Sequence, residues 1–183
     1  DMGHSKRQLE MVSAFRRLHA DPALADWTLV LAGGCDAAAT GYLDQVRAAA
    51  SGLPVDIRPD ATFDELVELY GAASIYWHAA GLGVDAERHP DRLEHFGIVT
   101  AEAMSAGAVP VVVDLAGQRE IVRHGVDGYR FRTEDDLVAL TRHLVTAEGQ
   151  LERMASAARS RAATFGRDAF VARVHQLIDG IAT

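Results

Sequence analysis

The chain has 183 residues, 49% hydrophobic and 24% charged, with a formal net charge of −8. That length suits one domain with a core that needs no staples, and the acidic balance argues against a general nucleic-acid or anionic-membrane binder. The single cysteine, Cys35, excludes a disulfide framework and a cysteine metal cluster, and no apolar run reaches the ~20 residues of a membrane span.

The start, DMGHSKRQ, shows no signal peptide and runs almost at once into a helix. The sequence therefore reads as a piece of a longer protein, the alternative being a tag remnant over residues 1–4. Ser5 is placed to cap a helix over residues 6–19, with Leu9, Met11, Val12, Phe15 and Leu18 as its apolar stripe. WTLVLAGG reads as a buried strand ending at Gly33-Gly34, followed by a helix over 40–50 and a strand over 55–58 that leaves through Pro59. Thr62 and Glu65 have capping-box spacing, so a helix starts there and carries Leu66, Leu69 and Tyr70. SIYWHAAG is the next strand, with Tyr76 and Trp77 as core residues and an exit at Gly81. A long polar loop, 82–93, leads into RLEHFGIVTAEAMSAGAVPVV, which reads as loop, helix and strand. A short helix over 118–124 ends at Gly125, and DGYRF forms a turn and brief strand. Thr133 and Asp136 open a helix with Leu137, Leu140 and Leu144 inward. Two more helices follow, over 151–164 and 167–180.

Strand and helix alternate, and the strands are continuous apolar runs. That pattern belongs to a parallel sheet covered on both faces, so the expected fold class is α/β, a doubly wound sheet with extra C-terminal helices. Ligands in such folds bind at the carboxyl ends of the strands. Here those ends are Gly33-Gly34, Arg58-Pro59, residues 78–81 and residues 114–117.

Within the loop-helix-strand stretch, Gly97 near the first helical turn lets another group approach the backbone. The amides of Phe96, Gly97, Ile98 and Val99 then face outward with the helix dipole behind them, which suits phosphate. Thr100 adds a hydroxyl one turn in. Glu102 lies ~7 Å along the axis from Gly97, too far to meet a phosphate it would repel but well placed for a neighbouring sugar diol. Glu94, in the preceding loop, approaches from the other side. A ligand with hydroxylated groups on both sides of a diphosphate, such as a nucleoside diphosphate sugar, would use both carboxylates. By spacing alone, two solvated glutamates and a plain glycine turn fit as well.

EHFGIVTAE followed by AMSAGAVPVV resembles the signature of retaining glycosyltransferases of the GT-B fold, specifically family 4. GGCDAAATGYLDQV, TFDELVELYGAASIYW and GQREIVRHGVDGYRF resemble further segments of that family in the expected order, so the resemblance spans residues 5–183. It implies that residues 1–183 are the single Rossmann-like, donor-binding half of a two-domain enzyme, with an absent N-terminal domain that grips an unidentified carbohydrate or lipid acceptor. It also implies that the first strand, which carries an arginine upstream of a lysine, is cut off at Asp1. Lys6 matches that lysine and would bind the donor diphosphate and stabilise the leaving group, with Arg7 able to deputise. Glu102 would bind the ribose and Glu94 the transferred sugar. The amides of Phe96, Gly97 and Ile98 would lie near the sugar and diphosphate, and Val99 and Thr100 near the phosphates. Gly34 belongs to the glycine turn. Neither a metal nor a cofactor is expected, the donor being a nucleotide sugar. The fragment alone should not turn over, because half the cleft is missing. The expected location is cytoplasmic, with peripheral membrane contact through the absent domain.

The loop before Glu94 is longer than in the family, and a serine-rich strand end is replaced by YWHAAGLGVDAERHPDR. HFGI with a preceding histidine-bearing strand is similar to mannosyltransferases that extend lipid-linked oligosaccharides, which implies GDP-mannose. His78, His89 and His95 are further candidates for the donor pocket, His78 foremost. Three rival readings stand beside the transferase. A receiver lacks its acid cluster in VLAGG and VDIRPD, a nucleotide-binding module would do no transfer chemistry, and a GT-B sugar-nucleotide epimerase would use the same pocket. The last helix is expected to cross to the absent domain, leaving Phe170, Val174 and Ile181 partly exposed here.

Overall fold

The computed structural model describes residues 2–181. Asp1, Ala182 and Thr183 lie outside the described residues, as do the side chains of Arg92 and Ile181.

Five parallel strands alternate with eight α-helices among the described residues. β1 (Leu29–Gly33) pairs with β2 (Val55–Pro59), Leu29 opposite Val55. β3 (Ile75–His78), β4 (Val109–Val113) and β5 (Tyr129–Phe131) form a second sheet in that order, Ile75 opposite Val109 and Val111 opposite Tyr129. The expected doubly wound α/β architecture is present, but its sheet is in two parts. β4 is buried at every position, as its unbroken apolar run requires. β1, β2 and β3 are mostly half-buried.

The helices follow from local signals. α1 (Gln8–His19) buries Met11, Val12, Phe15 and Leu18, and α2 (Thr40–Ala50) buries Tyr42, Leu43 and Val46. α3 (Phe63–Ala72) and α6 (Glu134–Thr146) each open with the expected capping box, Thr62 with Glu65 and Thr133 with Asp136. α4 (Ile98–Ala106) lies between Gly97 and Gly107, both left-handed, and α7 (Gln150–Ala162) packs on α4 and β4. Met104, Val112, Ile121, Val122, Ala158 and Ala162 form the cluster beneath.

Three expectations need correction. α1 starts at Gln8, and Ser5 does not cap it. His4–Lys6 form a separate 3-10 turn, and Arg7 stands before the helix at φ 62°. The left-handed residue breaks the helix and lifts Lys6 off its axis. α5 (Gln118–Ile121) stops three residues early, because Val122 is extended and the buried Asp127 carboxylate takes the Arg123 amide at 2.7 Å. Tyr76 and Trp77 are half-buried rather than core, since a cavity borders β3, and Trp77 Nε1 donates to Thr141 Oγ1 at 3.1 Å. In α8 (Arg167–Ile181) Phe170 is 66% and Leu177 68% exposed, with Val174 half-buried. Met2 is a core residue: it is buried, and its amide donates to Gly34 O at 2.7 Å. Among the described residues no helix is long and apolar enough to cross a membrane.

Candidate functional site

The site is built where three chain segments meet at the carboxyl end of β3. Lys6 arrives on its 3-10 turn, His78 ends β3, and the loop after Leu82 brings Glu94 to the start of α4. Lys6 Nζ lies 3.5 Å from Glu94 Oε2, and His78 Nε2 lies 3.7 Å from the same oxygen. The other carboxylate oxygen, Glu94 Oε1, accepts from the Gly97 amide at 3.2 Å. Glu94 therefore ties the loop to the positive end of a helix, a favourable place for a carboxylate. The same end offers the Ile98 and Val99 amides, which have no partner within the helix turn.

Glu94 and His78 both have a shifted balance. Burial pushes the Glu94 carboxyl up, but the Lys6 ammonium and the Gly97 amide outweigh it, and the net shift is down. Burial pushes the His78 imidazole down to about 4, against the attraction of Glu94. His78 is thus neutral at neutral pH, so the Lys6 charge holds Glu94 ionised. His78 is 5% exposed, and neither ring nitrogen has a hydrogen-bond partner among the described residues. A buried, unpaired polar ring is unfavourable by itself.

Two residues outside the sequence candidates support the loop. Gly117 N donates to Glu94 O at 3.1 Å, and a Cβ at Gly117 would lie 2.3 Å from His95 O. Only glycine lets the chain after β4 approach the motif loop so closely. Gln118 is wholly buried, and its Oε1 accepts from the Thr100 hydroxyl at 3.0 Å. Gly97 has φ +84°, and a Cβ there would meet Gln118 Nε2 at 2.5 Å. The strand-end position of residues 114–117 was legible in the sequence, but nothing in it signals which backbone they would touch.

The other candidates fall into place around this cluster. Glu102 is exposed on α4, one and a half turns in, with a free approach from solvent. The Thr100 hydroxyl, expected to donate to phosphate, is buried and committed to Gln118. Phe96 and Ile98 are exposed beside Gly97. His89 and His95 are exposed on the loop and are not in the Lys6–Glu94–His78 group. Gly34 borders a different concavity, with Gly3, His4 and Tyr42. At the end of β4, Asp114 accepts from Arg119 at 3.0 Å and Arg132 at 2.9 Å, a structural pairing that overcomes its burial and lowers its carboxyl. Among the described residues no group of three or more His, Cys, Asp or Glu side chains is arranged to hold a metal ion.

Comparison with known families places the chain. Residues 2–161 match the family described as Glycosyl transferases group 1. The chain belongs to that family. Its curated relatives include a D-inositol 3-phosphate glycosyltransferase 1 of Catenulispora acidiphila, 29% identical over 163 residues, and a D-inositol 3-phosphate glycosyltransferase of Thermomonospora curvata, 29% identical over 170 residues. The matches cover 85% and 89% of this chain but only 36% and 37% of those relatives, so this group 1 chain spans about a third of their length. Among solved structures, Anabaena HepE in complex with UDP and glucose superposes with a TM-score of 0.77 at 19% identity, over 96% of this chain and 45% of that one. The C-terminal domain of the group 1 glycosyl transferase LpcC from Francisella tularensis superposes with a TM-score of 0.69 at 17% identity, over 88% of this chain and 80% of that one. These likenesses establish the Rossmann-like α/β fold of GT-B glycosyltransferases.

Proposed function

We propose that this domain binds the nucleoside diphosphate sugar donor of a retaining, family 4 glycosyltransferase, which transfers a hexose to a carbohydrate or lipid acceptor held by a separate N-terminal domain. The observation that carries the reading is the convergence of Lys6, Glu94 and the start of α4 on one strand end. A diphosphate entering there would compete with Glu94 for the Lys6 ammonium. Lys6 and the Ile98 and Val99 amides would then neutralise charge on the departing nucleoside diphosphate, which is where preorganised donors accelerate transfer most. Freed from Lys6, the Glu94 carboxylate can accept from hydroxyls of the transferred sugar, still oriented by Gly97. Glu102 would take the ribose hydroxyls.

HepE is described with UDP and glucose, which supports a nucleotide sugar as ligand. The sequence likeness to mannosyltransferases makes GDP-mannose the first donor to try, with UDP and ADP sugars beside it. Glu102→Ala tests the ribose assignment. Nucleotide affinity should fall, and an unchanged affinity would show that Glu102 does not hold the ribose.

A further inference from the structure

Three arginines converge on one carboxylate just past the carboxyl end of β4. Asp114 Oδ1 accepts from Arg119 Nε at 3.0 Å, and Oδ2 accepts from Arg132 Nε at 2.9 Å. Arg130 Nε lies 3.6 Å from Oδ1, is shut off from water and has no hydrogen-bond partner among the described residues. Among those residues no other carboxylate forms an ion pair with any of the three. The Asp136 carboxylate lies within the field of Arg132 but caps α6, accepting from the Arg132 and Thr133 amides at 3.0 and 3.1 Å.

Stability alone does not call for this arrangement. One arginine neutralises Asp114, and the second and third add like charges that repel. With 26 acidic residues to 18 basic ones the chain is rich in carboxylates, yet Asp114 alone serves the three guanidinium groups. The group therefore keeps a surplus of positive charge. It is also open to solvent, since the side chains of Arg119 and Arg132 are 52% and 77% exposed. Guanidinium forks held in place suit the paired oxygens of a phosphate or carboxylate.

The place in the fold says what carries that oxyanion. His78, Val112 and Arg130 stand opposite one another on β3, β4 and β5. Strand spacing puts Arg130 about 10 Å from His78 across the sheet, on the same face. Asp114 and Arg132 lie two residues further along their chains, on that face and beyond the strand ends. The chain after β4 then meets the motif loop, Gly117 N donating to Glu94 O at 3.1 Å. The arginines thus border the candidate site without belonging to the Lys6–Glu94–His78 group. A donor diphosphate met by Lys6 and the start of α4 would leave them free for a second anion.

We propose that Arg119, Arg130 and Arg132, organised by Asp114, form an anion subsite for a phosphate or carboxylate group borne by the acceptor. Anchoring that group would hold the acceptor beside the transferred sugar. The subsite stands on the arginine geometry, and naming the acceptor as its source rests on the donor reading above.

Calorimetry on the full-length protein carrying Lys6→Ala tests it, with glucose 6-phosphate and inorganic phosphate as probes and glucose as the uncharged control. Lys6 is the cation of the donor contact, so failure of the donor reading would not silence this test. Both anions should bind, and glucose should not. Adding Arg132→Gln or Arg130→Gln should weaken glucose 6-phosphate binding by about tenfold or more, as for the loss of one hydrogen bond to a charged group. Arg47→Gln, the same change of charge on α2, should leave it unchanged. No binding of either anion, or an equal loss with Arg47→Gln, would overturn the subsite. Binding of inorganic phosphate with glucose 6-phosphate excluded would make a free ion the ligand and overturn the acceptor assignment.

Discussion

His78 makes a prediction with a worked magnitude. Its imidazole is buried at a strand end, and burial lowers it to about 4 from an ordinary value of 6.5. The difference corresponds to roughly 3 kcal/mol between the protonated and neutral ring. The unfolded chain therefore binds the proton more readily than the folded one between those values. The stabilisation is fully present above about pH 6.5 and is lost as pH falls toward about 4. Glu94 adds to the loss at the acid end, since its lowered carboxyl contributes stability that disappears only as it protonates. The assay is a histidine ring titration by NMR, with the His78 resonance assigned by its absence in His78→Gln. The wild-type resonance should stay in its neutral position through pH 5 and move near 4. Glu94→Gln removes a charge that favours the imidazolium, so the midpoint should move lower still. A His78 midpoint near 6.5, or one unmoved by Glu94→Gln, would refute the burial and the neighbour on which the site rests.

Three further outcomes follow from the same geometry. Gly97→Ala forces a side chain into the left-handed region and toward Gln118. It should destabilise the domain by about 1–2 kcal/mol, read as a lower melting temperature, together with weaker nucleotide binding. Gly117→Ala places a Cβ against the His95 carbonyl and should reduce donor affinity without contacting the donor, whereas full affinity would deny that Gly117 seats the Glu94 loop. Phe170→Asp with Leu177→Asp, on the exposed face of α8, should leave domain stability unchanged and lower turnover of the full-length enzyme if that helix packs on the other domain. Unchanged turnover would end that idea.

Much of this fold was legible from residue order. VPVVV reads as a strand buried on both faces and is one, and the two capping boxes place α3 and α6 because their hydrogen bonds are local. Glu94 was singled out in the sequence as a sugar contact, but its tie to the Gly97 amide was not read there. The start of α1 was not legible, since a left-handed Arg7 has no local signal of the kind glycine provides. The roles of Gly117 and Gln118 were hidden for another reason. They act by touching residues about twenty positions away, Glu94, His95 and Thr100, and only the packed chain brings these together.

The most direct test of the central claim is calorimetry of the full-length protein against GDP, UDP and ADP, then against the matching nucleotide sugars. The account predicts binding to at least one of them. It also predicts that Lys6→Ala weakens the diphosphate contact by about 1.5–3 kcal/mol, the range for a hydrogen bond to a charged group. Binding of none of these ligands, or binding indifferent to Lys6→Ala, would contradict it.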